Sequence, residues 1–348
     1  MLQVNTSRRD LARGLAALGL TAAVSPALAR EAAAGNLSPA AIDAAVKAAY
    51  EKYRGLNEGK NADYIPALAK VPSTYFGIAL VTPQGKVSAI GDTEPTFSIQ
   101  SISKVFTMAL VLQESGEQKI VDSVGVDATG QVFNSIVAVE QHKGKEMNPF
   151  VNPGAIATTG NVKGSSPDEV WRKILAIHSD FAGRPLEVNQ EVYKSESDTN
   201  QRNRAIGMLM SAYERFSSDP AVATDLYTRQ CSIAVNAKDL GTMAATLANG
   251  GKNPVTGKQV IDPRHIPGVL AVMATAGLYD DSGVWLFHTG LPAKSGVGGG
   301  LIAVSPGKFG IGTFSPPLDA AGNSVRGQRA ITDISNALGG NPYTELPA

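Results

Sequence analysis

The chain has 348 residues, 43% hydrophobic and 18% charged, with 31 Lys and Arg exactly offset by 31 Asp and Glu. Such a chain can bury a sizeable core, so disorder is excluded, and without a long basic block it lacks the electrostatic footprint for nucleic acid or an anionic membrane. Its one cysteine, Cys231, excludes an internal disulfide and any multi-cysteine zinc site, and is expected to be a buried small hydrophobe.

Residues 1–29 combine a basic start carrying Arg8, Arg9 and Arg13, an apolar run from Gly14 to Val24, and Ala27-Leu28-Ala29, the layout of an export signal with its cleavage site. The arginine pair is similar to the twin-arginine type of bacterial signal. The apolar run is too short for a permanent membrane anchor, and no second one follows. Cleavage after Ala29 would also remove Asp10, leaving 28 basic and 30 acidic residues in a periplasmic or secreted protein. Residues 30–348 then form one mature domain.

Ser38-Pro39 supplies a cap and a first-turn proline, and Ile42, Val46, Ala49, Tyr50 and Tyr53 recur at helical spacing behind it. Tyr75–Val81 and Lys86–Ile90 are β-type runs joined by Thr82-Pro83-Gln84-Gly85, a hairpin signal. From Ser101 to about Ser217 the pattern is mostly helical. It includes a capping box at Ser166-Pro167-Asp168-Glu169 and a one-faced apolar stripe of Ile206, Leu209, Met210 and Tyr213. Lys238–Asn249 ends at a Gly-Gly stop. Val284–Phe287, Gly300–Val304 and Phe309–Phe314 are strand candidates, and Ser324–Leu338 is a closing helix. The expected class is α+β: an antiparallel sheet built from both chain ends, flanking helices, and an inserted helical subdomain at roughly 101–250.

Absences narrow the chemistry. There is no G-x-S-x-G, P-loop, G-x-G-x-x-G or H-E-x-x-H, and the four histidines have no ligand spacing, so neither a metal, a nucleotide cofactor nor a Ser-His-Asp triad is expected. What remains is Ser101-Ile102-Ser103-Lys104, an S-x-x-K at the start of a helix, where i and i+3 share a face and backbone N–H groups are free. A lysine serves as base there only if burial or a second cation lowers its pKa. Lys294, in the K-[ST]-G element Lys294-Ser295-Gly296, is the supporting candidate for that second cation. A second S-x-x-K match, Ser305-Pro306-Gly307-Lys308, lies in a turn and cannot present its lysine on a helix face.

Six blocks in order, FSIQSISKVF (97–106), NPFVNPGAIATT (148–159), YKSESDTNQRNRA (193–205), YTRQCSI (227–233), MATAGLYDDSG (273–283) and PAKSGVGGG (292–300), resemble the serine-dependent glutaminases, from about Leu37 to the C-terminus. That resemblance implies a β-lactamase-like fold and a hydrolase acting on a linear amide, turning L-glutamine into L-glutamate and ammonia without a cofactor. It makes Ser101 the nucleophile, Lys104 its proton acceptor and Tyr279 a general acid/base. The N–H groups of Ser101 and Val297 would bind the oxyanion. Asn152, Glu196, Asn203 and Tyr227 would hold the two charged ends of glutamine, and Tyr64 would close over it. It also implies a homotetramer. Taken singly these residues have plainer explanations, a solvated face for Glu196 or packing for Tyr227 and Tyr279. Two alternatives stay open: a periplasmic β-lactam-reactive serine enzyme, weakened because Ser197-Asp198-Thr199 replaces S-D-N, and a non-catalytic amino-acid-binding protein of the same fold.

Overall fold

The structure, a computed structural model, describes residues 37–344, so the export-signal reading at residues 1–29 lies outside the described residues. Helix α1 (Pro39–Tyr53) begins as the sequence indicates, with the Ser38 hydroxyl accepting from the Ala41 N–H and Ile42, Val46 and Ala49 buried. The hairpin follows: β1 (Gly77–Val81) pairs antiparallel with β2 (Val87–Gly91), and the Gly85 N–H closes the turn on the Thr82 carbonyl. Strand β3 (Phe97–Ser98) leads through a 3₁₀ turn, Gln100–Ile102, into α2 (Ser103–Ser115), which is buried continuously from Ser103 to Leu112. A helix buried all round must be covered by other elements, and the middle of the chain supplies them.

Those elements are α3 (Asn152–Gly160), α4 (Pro167–Ala182), α5 (Gln190–Thr199), α6 (Gln201–Ala212) and α7 (Pro220–Cys231). The small strands β4 (Glu187–Val188) and β5 (Ile233–Val235) complete a three-stranded sheet in the order β3-β5-β4. At the start of α4 the Ser166 hydroxyl caps the Glu169 N–H, but the reciprocal arm of the expected box lands one residue early. Glu169 accepts from the N–H and hydroxyl of Ser165.

The C-terminal third adds α8 (Ala237–Ala248), α9 (Ile266–Ala276), α10 (Ser282–Thr289), β6 (Ala293–Ser295), β7 (Gly300–Ser305), β8 (Phe309–Phe314) and α11 (Val325–Ala337). Here one expectation fails: Val284–Phe287 lies inside α10, and the third late strand is Ala293–Ser295. The main sheet has five antiparallel strands ordered β2-β1-β8-β7-β6, so strands from the two chain ends join at the β1–β8 pair.

Both faces of this sheet are covered. Ile78, Leu80, Leu301 and Ala303 point to one side and pack with Ile42 and Val46 of α1 and Ile331 and Ile334 of α11. Ala79, Ile302, Val304 and Phe314 point to the other, where Leu240, Met243 and Leu247 of α8 lie. The two-residue period of a strand produces this division. Each large apolar side chain so buried contributes about 1.5–3 kcal/mol. Helix α8 approaches β8 very closely. A Cβ at Gly310 would meet the Ala245 nitrogen at 2.1 Å, and one at Gly312 the Gly241 nitrogen at 2.4 Å, so the alternating glycines of β8 form the groove in which the helix lies.

Candidate active site

Ser101 sits where β3 turns into α2. The residue before it, Gln100, holds a left-handed φ of 52°, a conformation costly for a residue with a side chain. Its amide is anchored on both sides, donating to the Ser98 hydroxyl (3.1 Å) and to Glu196 Oε2 (3.3 Å). The turn that connects β6 to β7, residues 296–299, lies against this bend. A Cβ on Gly296 would meet the Ile99 carbonyl oxygen at 2.8 Å and one on Gly298 the Ser98 oxygen at 2.7 Å. The glycine-rich run is therefore a contact surface, and it brings Val297 to the cavity that Ser101 also lines. The Val297 N–H has no hydrogen-bond partner among the described residues and so remains an open donor beside that cavity.

Lys104 is 1% exposed, and its Nζ donates to the Phe150 carbonyl (2.9 Å) and to Asn152 Oδ1 (2.7 Å). Among the described residues it has no hydrogen bond to Ser101. Burial pulls its pKa down to about 8, with Cys231 and Glu196 working in the opposite direction. A neutral amine has two N–H groups and one lone pair. Both N–H groups are taken, so the lone pair is what remains to accept a proton.

Asn152 links the Lys104 amine to the cavity lining. Its Oδ1 accepts from Lys104 and from the Tyr227 hydroxyl (3.1 Å), and its Nδ2 donates to Asn203 Oδ1 (3.0 Å). This network fixes both amide orientations and leaves the Asn203 amide nitrogen for a ligand. Glu196, 7% exposed, is pushed up to about 7 by burial, while Gln100 and Lys104 pull it down. An ammonium group in the cavity would hold it ionised.

These residues share one cavity of about 280 Å³ lined by Tyr64, Ser101, Asn152, Glu196, Asn203, Tyr227 and Val297, with Gln100, Phe133 and Arg202 among its other walls. Tyr64 is 55% exposed, at the rim. Tyr279 belongs to the site without lining this cavity. Its backbone is left-handed (φ 54°), its hydroxyl donates to the Ser295 carbonyl at 3.2 Å, and burial raises its pKa against the opposing influence of the nearby Ser101 side chain.

Lys294, fully buried on β6, donates to the Gly277 carbonyl (3.1 Å) and the Ser295 carbonyl (2.7 Å) and lies 4.4 Å from the Tyr279 ring centre. Its pKa is held well below the ordinary lysine value, first by burial and then by the charge of Lys104. The expected second cation is thus a lysine whose charged form burial disfavours, set beside Tyr279, and burial is what lowers the pKa of Lys104. Sequence reasoning also missed Gln100 and the Phe150 carbonyl. Gln100 adjoins Ser101, which was the available signal, whereas a backbone acceptor leaves none. Cys231 is buried within 3.9 Å of the Ser103 hydroxyl, and burial pushes its thiol up to about 12, so it is inert.

A family model described as Glutaminase matches residues 59–343. The glutaminase of Colwellia psychrerythraea is 54% identical over 295 residues, covering 85% of this chain and 95% of that protein. That of Mycobacterium ulcerans is 50% identical over 303 residues, covering 87% and 95%. Among solved structures, the probable glutaminase ybaS superposes with a TM-score of 0.88 at 46% identity, covering 89% of this chain and all of that one. Mglu in its glutamate form follows at a TM-score of 0.83 and 34% identity, covering 88% and 71%. With a matched model over most of its length and relatives at half identity or better, the chain belongs to the glutaminase family, with the α+β, β-lactamase-like fold of that family.

Proposed function

We propose that the protein hydrolyses L-glutamine to L-glutamate and ammonia through an acyl-enzyme on Ser101, with Lys104 as base. The observation that carries this is the wiring of Lys104: a buried amine with both N–H groups engaged, one of them on an asparagine that itself lines the substrate cavity. Glu196 receives the α-ammonium and the Asn203 amide nitrogen the α-carboxylate, with Tyr227 held behind them by its hydrogen bond to Asn152 and Tyr64 closing over the ligand. Ser101 Oγ attacks the side-chain amide carbon as its proton passes to Lys104, and the oxyanion develops toward the N–H groups of Val297 and Ser101. Tyr279 protonates the departing nitrogen. Water then cleaves the γ-glutamyl ester and regenerates the serine.

The test is ammonia release from L-glutamine by the wild-type chain and by Ser101→Ala and Lys104→Ala. Each variant is expected to lose at least about a thousandfold in kcat, as when a nucleophile or its base is removed elsewhere. Glutamine affinity retained with no turnover in the wild type would favour an amino-acid-binding protein, and acylation by a penicillin would favour a β-lactam-reactive enzyme. We further propose export to the periplasm, supported by Arg8-Arg9 and Ala27-Leu28-Ala29, which N-terminal sequencing of the mature protein starting at Arg30 would test. A homotetrameric assembly is proposed on the resemblance to the family.

A further inference from the structure

Beside the substrate cavity lies a second one of about 310 Å³, lined by Phe133, Phe150, Val151, Ala276, Tyr279 and Asp280, with Gly283 also at its edge. Phe133 lines both cavities, and its ring leans on that of Tyr279 with centroids 4.9 Å apart. This ring pair is the partition. Two of the walls are groups next to the reacting bond: Tyr279, in contact with Ser101, and Phe150, whose carbonyl accepts from Lys104.

A tetrahedral carbon on Ser101 has four substituents. One is Oγ, one is the oxyanion facing Val297, and one is the side chain that leads back to Glu196 and Asn203. The fourth, the leaving nitrogen, is left to face Tyr279 and the cavity behind it. That cavity has apolar walls in Phe133, Phe150, Val151 and Ala276, and an exposed carboxylate, Asp280, where a protonated amine would depart.

We propose that this second cavity accepts a substituent on the departing nitrogen, so that the enzyme also hydrolyses γ-glutamyl amides of short primary alkylamines. The proposal rests on the glutaminase reading above. The step is balanced: a C–Oγ bond forms as the serine proton moves to Lys104, and the C–N bond breaks as Tyr279 gives its proton to the nitrogen, which leaves as the amine. Tyr279 recovers a proton from Lys104, and one water converts the ester to glutamate and free Ser101. One amide and one water give glutamate and one alkylammonium ion.

The experiment measures glutamate release from L-glutamine, γ-glutamylethylamide and γ-glutamylbutylamide by the wild type, Gly283→Phe and Phe133→Ala. A Cβ at Gly283 would meet nothing within 4 Å, so a large side chain can enter the cavity there without a clash at its base. The wild type is expected to cleave the ethylamide within about tenfold of glutamine in kcat/KM. Gly283→Phe should lower cleavage of both alkylamides by about tenfold or more while leaving glutamine within about twofold. Phe133→Ala, which removes the partition, should raise the butylamide-to-glutamine ratio. A wild type that turns over glutamine but neither alkylamide overturns the proposal and leaves the glutaminase reading standing. Unchanged substrate ratios in both variants also overturn it. Failure on glutamine itself would instead overturn the underlying reading.

Discussion

Lys104 and Lys294 are both buried amines that donate to backbone carbonyls, and burial lowers the pKa of each, that of Lys104 to about 8. With Lys104 down to about 8, only about a tenth of it is neutral at pH 7 and most of it at pH 9. The active form is the neutral one, so kcat/KM should rise about tenfold per pH unit below 8 and level off above. Ionisation of Glu196 near 7 steepens the acid limb. A profile flat from pH 6 to 8 would contradict a lysine base. Lys294→Met tests its neutrality. Removal of a neutral amine should leave the pH midpoint within about 0.3 units while lowering kcat by about tenfold or more through a misplaced Tyr279. Removal of a cation would move the midpoint up by about a unit. The S-x-x-K spacing made Ser101 and Lys104 legible because helix geometry is local. The charge state of Lys294 was not, because it depends on burial by elements distant in sequence.

The glycines of β8 make a sharper prediction at the level of elements. Gly310→Ala places a methyl 2.1 Å from the backbone of α8 and should cost about 3 kcal/mol, read as a lower urea midpoint at unchanged slope. Gly283→Ala, with open space around it, should stay within about 0.5 kcal/mol or gain slightly as a better helix former. Most elements could be anticipated from caps and periodicity, as α1 and the β1–β2 hairpin illustrate. Val284–Phe287 could not, since four apolar residues fit either period. Its neighbours decide the matter: Ser282, Trp285 and Thr289 are the buried face, and Gly290 ends the helix with φ 72°. The displaced arm of the Ser166 cap has a similar origin, a free hydroxyl on Ser165 that competes for Glu169.

For the molecule as a whole, α10 leaves Val284 62% and Phe287 84% exposed, apolar surface consistent with the proposed assembly. Phe287→Glu should lower the mass observed by sedimentation while leaving the circular dichroism of the fold unchanged. An unaltered mass would place the subunit contacts elsewhere. That strands from both chain ends share one sheet was foreseeable from the position of the strand signals, but the strand order and the register, with Gly77 opposite Phe314, were not.

That register also governs how the protein acquires its activity. Ser101 and Lys104 follow the first hairpin, whereas Tyr279, Lys294 and Val297 are made nearly two hundred residues later, Lys294 and Val297 on β6 and the turn to β7, which in turn pairs with β8. Closing so long a loop is entropically slow and cannot begin until the last strands exist. Ser101 and Val297 are thus brought together by one of the final events of folding. On refolding from urea, helical signal should return before catalysis, and the first turnover should mark the moment at which the two ends of the chain have met.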